Sequence, residues 1–393
     1  MSPDMIFTSE SVTPGHPDKL CDQISDAAVD ALLRDDDRAR AAVECALATG
    51  VVFLAARYAA DALVDLPSLA RAVMQEAGYA AGSFDARNCS ILTSFVEMPL
   101  EAREPPLQEL DDDAAIGRRV AHEQANVFGY ACLDTPELMP APISLAHKVA
   151  RALDAARRDG FSTLSPDAKT QVSVEFRGGR PSRIHDISLT VAFDGAATDD
   201  DKFERLRAIA FDALSAGDLR PDAQTSVHVN AGEPFEIGGP ARHAGLTGRK
   251  SGIDTYGEIA RQSGSALSGK DPSRIARAGA YAARHAAKNI VAAGLAERCE
   301  VHLAYAAGQA EPLSLSVETF GSGRLADEKI ARRLAALLDF RPAAIVRRFG
   351  LRAAPQVSGA RGFYRTLATY GHFGRADLDL PWEATDAADA LRG

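Results

Sequence analysis

An α+β protein of three similar units is the fold class this sequence predicts, and three observations predict it. The chain has 393 residues, more than one ordinary domain of roughly 100–200 residues. Strand-like apolar runs and amphipathic helices recur in similar proportion in each third. Two breaks separate the thirds: the polar connector Arg103 to Asp113, with Pro105-Pro106 and an acidic run, and a glycine-rich stretch that opens near Phe235. The expected units are 1–104, 114–234 and 235–393.

In chain order, a short polar strand from Phe7 breaks at Pro14-Gly15. A helix follows, with Pro17 in its first turn and Leu20, Ile24, Ala27 and Ala31 as its apolar stripe. Val43 to Ala56 reads as two strands about Thr49-Gly50, Leu66 to Ala77 as an amphipathic helix, and Asn88 to Val96 as a strand. Pro140 to Arg158 is a helix opened by prolines. Thr170 to Arg177 and Ser182 to Ala192 flank Gly178-Gly179, a hairpin signal. Asp200 to Leu214 is a helix and Gln224 to Asn230 a strand. In the last third, Ser273 to Ala293 is a long alanine-rich helix, and Cys299 to Ala306 and Pro312 to Thr319 are strands. Helices Asp327 to Leu338 and Pro342 to Phe349 complete it.

The net charge of −10 argues against non-specific nucleic-acid binding but leaves room for a local basic pocket. Five scattered cysteines with no C-x-x-C pair suggest neither a zinc site nor a disulfide framework, and a reducing cytoplasm fits best. No basic-then-apolar leader and no apolar run of membrane length is present.

Two stretches carry candidate chemistry. His16, Asp18 and Lys19 put an imidazole, a carboxylate and an ammonium at the mouth of the first helix. Asp18, Asp22 and Asp26 recur on one of its faces, which reads either as part of a site or as a solvated acidic face. Further on, Gly264 to Lys270 matches G-x-x-x-x-G-K, but Asp271 replaces the Ser/Thr and no apolar strand leads into it. Its company is more informative. Arg249, Lys250, Arg274 and Arg277 lie among glycines, and glycines let backbone approach an anion while the cations bind it. The ligand expected there is a polyanion such as a nucleotide triphosphate; the alternative is a solvated basic surface.

With these residues assembled, the chain resembles the S-adenosylmethionine synthetases (methionine adenosyltransferases). FTSESVTPGHPDKLCDQISDA, MPAPISLAHK, SPDAKTQV, IGGPARHAGLTGRKSGIDTYG, SGKDPSR, AYAARHAAKNIVAAGLAERCE, AEPLSLSVETFG and YGHFGR appear in family order and cover nearly the whole chain. The resemblance implies three similar α+β domains about a pseudo-threefold axis, with some exchange of strands or termini. It implies a homodimer or dimer of dimers with active sites at the subunit interface. The implied reaction is attack of methionine's sulfur on C5′ of ATP, with loss of triphosphate, which is then hydrolysed to phosphate and pyrophosphate.

By the same resemblance, His16 lies near the ribose–phosphate junction and is catalytic with Lys169, Lys250 and Lys270. Lys19, Asp167, Phe235, Arg249 and Arg274 complete the ATP site, Phe235 against adenine. Asp18 is implied to bind magnesium and Glu44 potassium.

The departures from the family pattern cluster at the amino-acid end. The family loop G-A-G-D-Q-G is Val120 to Ala125, where Glu123 keeps the acid. The carboxylate that faces methionine's amine is Arg57, a second partner of that amine is His243, the glutamine beside it is Met98, and the pocket isoleucine is Ala307. A second magnesium-associated aspartate is Ala276. One like-charge contact at 4 Å costs on the order of 4 kcal/mol at an effective dielectric of 20. The expectation is therefore adenosyl transfer to methionine or to an altered thioether, a des-amino analogue above all. The alternative is a catalytically impaired nucleotide-binding homologue that regulates a true synthetase; a hydrolase that has lost its acceptor is a third reading.

Overall fold

The computed structural model describes residues 4–80, 82, 84–106, 109, 112–193, 200–232 and 237–393. Phe235, the boundary at 234–235 and parts of the connector 103–113 lie outside them.

Eleven strands among the described residues form three sheets. The strands are β1 (Met5–Val12), β2 (Arg40–Ala48), β3 (Val51–Ala59), β4 (Ser90–Glu97), β5 (Ala125–Cys132) and β6 (Leu164–Arg177). They continue as β7 (Arg180–Phe193), β8 (Ser226–Val229), β9 (Gly245–Leu246), β10 (Arg298–Tyr305) and β11 (Ser314–Glu318). The sheet orders are β4-β3-β2-β9, β1-β6-β7-β8 and β11-β10-β5.

The connections repeat. A strand leads into a long helix, then an antiparallel hairpin, then a second helix. β1 precedes helix Pro17–Asp35, hairpin β2–β3 and helix Leu66–Ala77. β5 precedes helix Ala141–Arg158, hairpin β6–β7 and helix Asp200–Ala213. β9 precedes helix Ile275–Ala292, hairpin β10–β11 and helix Asp327–Leu337. In the first two repeats a parallel edge strand follows, β4 on β3 and β8 on β7. The leading strand never joins its own hairpin. β1 pairs with β6, β5 with β10 and β9 with β2, always antiparallel. One strand donated from each repeat to another's sheet, in a closed cycle, is what a pseudo-threefold arrangement produces. The chain is thus an α+β protein of three similar units.

β5 and β9 have no counterpart among the strands expected from sequence. β9 is two residues long, too short for any alternation to show. It forms because Gly245 comes so close to the start of the first helix that a Cβ there would lie 2.2 Å from the Pro17 carbonyl oxygen.

The first helix is buried almost all round. Its aspartates are not a solvated face. Asp18, Asp22, Asp26 and Asp30 are at most 3% exposed, one turn apart, and each accepts backbone N–H groups from the last third of the chain. Asp18 takes that of Leu246 at 3.0 Å, Asp22 that of Gly248 at 2.8 Å and Asp26 that of Gly269 at 2.8 Å. Asp30 takes those of Tyr364 and Arg365 at 3.0 and 2.9 Å. Burying a carboxylate is costly unless it is paired and hydrogen-bonded. Asp18, Asp22 and Asp26 have cations as well as N–H donors, whereas Asp30 has only the N–H donors, and burial pushes its pKa up to about 7. Among the described residues no helix is long and apolar enough to cross a membrane.

Candidate active site

The aspartate-bearing helix suspends two clusters of chemically active side chains. They hang from Asp18 and from Asp26, eight residues apart, or about 12 Å along the axis at 1.5 Å per residue.

The first cluster surrounds the helix N-terminus. His16 is the N-cap; its Nδ1 accepts the Asp18 N–H at 3.2 Å. That bond leaves the ring proton on Nε2, which is buried and has no partner. Burial pushes the imidazole pKa down to about 3. Asp167 opposes the shift, while Lys169, Lys250 and His243 reinforce it. His16 is therefore a neutral donor at physiological pH. Asp167, on β6, accepts the Gly239 N–H at 2.8 Å and lies 2.9 Å from His243 Nε2. Burial would raise its pKa, but the His243 hydrogen bond, the field of His16 and the Gly239 N–H together hold it below the usual range. Asp18 Oδ1 lies 3.7 Å from Arg249, and its Oδ2 lies 3.8 Å from Lys250. Lys250 also approaches Glu10 Oε1 at 3.3 Å.

The second cluster surrounds Lys270. Gly269 has φ +78°, and a Cβ there would lie 2.0 Å from the Val43 carbonyl oxygen. The glycine thus lets the Lys270 backbone lie against β2, where it bridges Ala42. Burial lowers the Lys270 pKa; Glu123 and Glu44 oppose this, and Arg277 and Arg274 add to it. Glu123 contacts Arg274 at 3.4 Å and accepts the Ala276 N–H at 3.3 Å, so an acid from a distant loop sits on the N-terminus of helix Ile275–Ala292. Ala307 adjoins that loop, since the Gly308 N–H donates to the Ala121 carbonyl. Arg57 donates through Nε to Met98 Sδ at 3.2 Å. With Arg40, Ala41, Asp271 and Arg274 these two line a cavity of about 300 Å³. Arg57 has no carboxylate partner among the described residues, and Glu123 is engaged elsewhere.

The residues singled out from sequence thus separate. His16, Asp18, Asp167, Lys169, His243, Arg249 and Lys250 gather in the first cluster. Glu44, Arg57, Met98, Glu123, Lys270, Arg274 and Ala307 belong to the second. Within one chain His243 does not meet Arg57, although both were assigned to one acceptor pocket. Lys19 joins neither cluster as a phosphate ligand. Its ammonium is buried between Asp22, at 2.9 Å, and Asp254. Burial would lower its pKa, and the two carboxylates more than reverse that; the charge is structural. The G-x-x-x-x-G-K match is not a P-loop, because helix Ile275–Ala292 starts five residues after Lys270. Sequence reasoning passed over Glu10 and Asp254. Glu10 carries no distinguishing signal, and Asp254 becomes visible only once Lys19 is known to be buried.

Comparison with known proteins agrees along the whole length. Residues 4–99, 118–235 and 237–384 match the N-terminal, central and C-terminal domains of S-adenosylmethionine synthetase. An S-adenosylmethionine synthase of Microcystis aeruginosa is 46% identical over 409 aligned positions, covering 100% of this chain and 98% of that protein. One from Synechococcus sp. is 46% identical, covering 98% and 97%. One from Synechococcus elongatus is 44% identical, with the same coverage. The chain belongs to the S-adenosylmethionine synthetase family.

Proposed function

We propose that this chain transfers the 5′-adenosyl group of ATP to a thioether sulfur, forming S-adenosylmethionine or an analogue with release of phosphate and pyrophosphate. The observation that carries this reading is the pair of cation-rich clusters on one helix, with a neutral, donor-bearing His16 in the first. Lys169, Arg249, Lys250, Lys270 and Arg274 would offset the charge that develops on a departing triphosphate. His16 Nε2–H is free to donate to an oxygen at the ribose–phosphate junction. Asp167 lies beside it for the nucleotide, and Phe235 is proposed to pack on adenine.

Magnesium, when bound, neutralises phosphate charge and orients the phosphates. Asp18 would hold it; a buried oxygen donor between two cations suits a hard dication that arrives with a polyanion. Glu44 would hold potassium, for which a carboxylate is the right donor type.

Neither cluster encloses a substrate alone, so we propose that two copies combine them in a homodimer or dimer of dimers. Val51, Phe53, Leu92, Val96 and Leu246 expose an apolar patch on β4-β3-β2-β9. Arg57 lies on that face, beside Val96 in the sheet register. The three units 1–104, 114–234 and 235–393 and a cytoplasmic setting belong to the same reading.

For the acceptor, the cavity lined by Arg57, Arg40 and Arg274 fits a carboxylate or a neutral group better than an ammonium. With Ala307 leaving room, a des-amino methionine analogue is the favoured acceptor over methionine. Incubating the chain with ATP, magnesium and potassium and a thioether panel, then weighing the adenosylated products, tests both levels. Product from a thioether keto acid or simple acid is expected. Turnover of methionine alone overturns the acceptor reading. No product from any thioether overturns adenosyl transfer and favours the impaired homologue.

A further inference from the structure

We propose that His16, Asp167 and His243 form a binding site for a transition-metal dication of the zinc type, distinct from the magnesium position at Asp18 and going beyond adenosyl transfer. One ligand atom from each residue lies within 4.8 Å of the others. His16 and Asp167 are 1% and 3% exposed, and each keeps one buried polar atom without a partner, Nε2 and Oδ1. Asp167 is held by the Gly239 N–H, while His243 sits on a loop with its side chain 30% exposed. The two imidazole rings are 5.1 Å apart between centroids, tilted by 54°.

Bonds of about 2.0–2.1 Å to zinc place tetrahedral ligand atoms roughly 3.4 Å apart. The cluster must therefore close by no more than about an ångström and a half, and the least buried of the three, His243, is the one with room to move. Two imidazoles and one carboxylate select zinc, cobalt or nickel over magnesium, which demands oxygen. Coordination through Nε2 moves the His16 ring proton to Nδ1. There it gives up the Asp18 N–H and finds the Asp18 carboxylate, now 3.9 Å away. A carboxylate behind a metal-bound histidine is a common supporting arrangement. Lys169 and Lys250 oppose a dication here, and Asp167 and Asp18 favour it.

His16 Nε2 cannot serve a metal and a nucleotide oxygen at once. The two occupancies exclude each other, so the cluster is a switch by which a zinc-type ion closes the nucleotide side of the site. His243 supplies the second imidazole, where the family pattern implies an aspartate.

The test uses the full chain, stripped with chelator, in buffer free of ATP and phosphate, titrated with cobalt chloride. One equivalent of cobalt with the visible absorption of a low-coordinate site is expected, displaced by zinc and not by magnesium. His243→Ala and His16→Gln each remove one ligand and should weaken binding by at least the roughly 10–100-fold that loss of a mere supporting partner costs. His228→Ala removes the surface pair with Asp186 (2.9 Å) and should change nothing. No visible band overturns the proposal. So does a band that survives His243→Ala or vanishes with His228→Ala. Because the readout is spectroscopic and needs no turnover, its failure is separate from failure of adenosyl transfer.

Discussion

The helix Pro17–Asp35 and the sheet face that carries Arg57 hold charge in opposite ways. On the helix the four carboxylates of the ladder, Asp18, Asp22, Asp26 and Asp30, are buried and hydrogen-bonded. Asp26 grips Arg277 through both oxygens at 2.6 and 2.7 Å, with both side chains fully buried. On the sheet face Glu44 and Arg57 are exposed, and the polar neighbour of Arg57 is a methionine sulfur. The helix spends charge on architecture, fixing loops 245–250 and 269–270 and hence the cations they carry. The sheet face leaves charge available for a ligand. Changing Arg57 disturbs no buried partner, whereas changing an aspartate of the ladder strands an N–H or a guanidinium.

The sharpest break of the comparison is at Asp26. Asp26→Ala leaves Arg277, whose charge burial disfavours and Asp26 restores, without its partner. Removing one member of a buried pair typically costs 3–5 kcal/mol, and about that loss is expected in urea unfolding. Glu44→Ala on the exposed face should stay within about 0.5 kcal/mol. Equal losses at the two positions would dissolve the distinction.

Much of this could be read from the sequence, and the limits are physical. The three hairpins and the long helices announced themselves through apolar period and turn residues. The repeat did not, because it lies in the order of elements and in donated strands rather than in residue identity. β5 has Gly129 at its centre, which weakens a strand pattern, and β9 gave no pattern at all. The four-residue recurrence of aspartates was visible, but spacing alone does not say whether such a face meets water or backbone N–H groups. For Lys19 the same ambiguity ran the other way: its place in a phosphate-binding motif suggested a ligand contact, and its burial between two carboxylates makes it a strut.

A second difference concerns pH. His147 is buried, with Nδ1 2.8 Å from Ser11 Oγ. Burial, then Arg151, Arg375 and Lys19, push its pKa well below 6.5. The unfolded chain takes up that proton near 6.5 while the folded chain refuses it, so its contribution to stability is present above 6.5 and lost as pH falls. His147→Gln should flatten the decline of unfolding free energy below pH 6.5 by up to about 1.4 kcal/mol per unit. Arg57→Glu should run parallel to wild type over the same range. Parallel curves for all three proteins would remove His147 as the source.

The smallest effect is on selectivity, at Arg57 itself. Arg57→Glu places a carboxylate where the family pattern has one, facing the site expected for an amine. In vacuum-like surroundings such a reversal would be worth many kcal/mol, but Arg57 is exposed and water screens it. Roughly 1.4 kcal/mol survives, a tenfold change. The ratio of kcat/KM for methionine to that for the des-amino analogue should therefore rise about tenfold, with the unfolding midpoint unchanged and KM for ATP unmoved. That outcome ties the acceptor preference to one charge on the open sheet face. If the ratio stays fixed while methionine still reacts, Arg57 does not face the acceptor, and the cavity it lines with Met98 and Arg274 serves something other than the thioether's amine end.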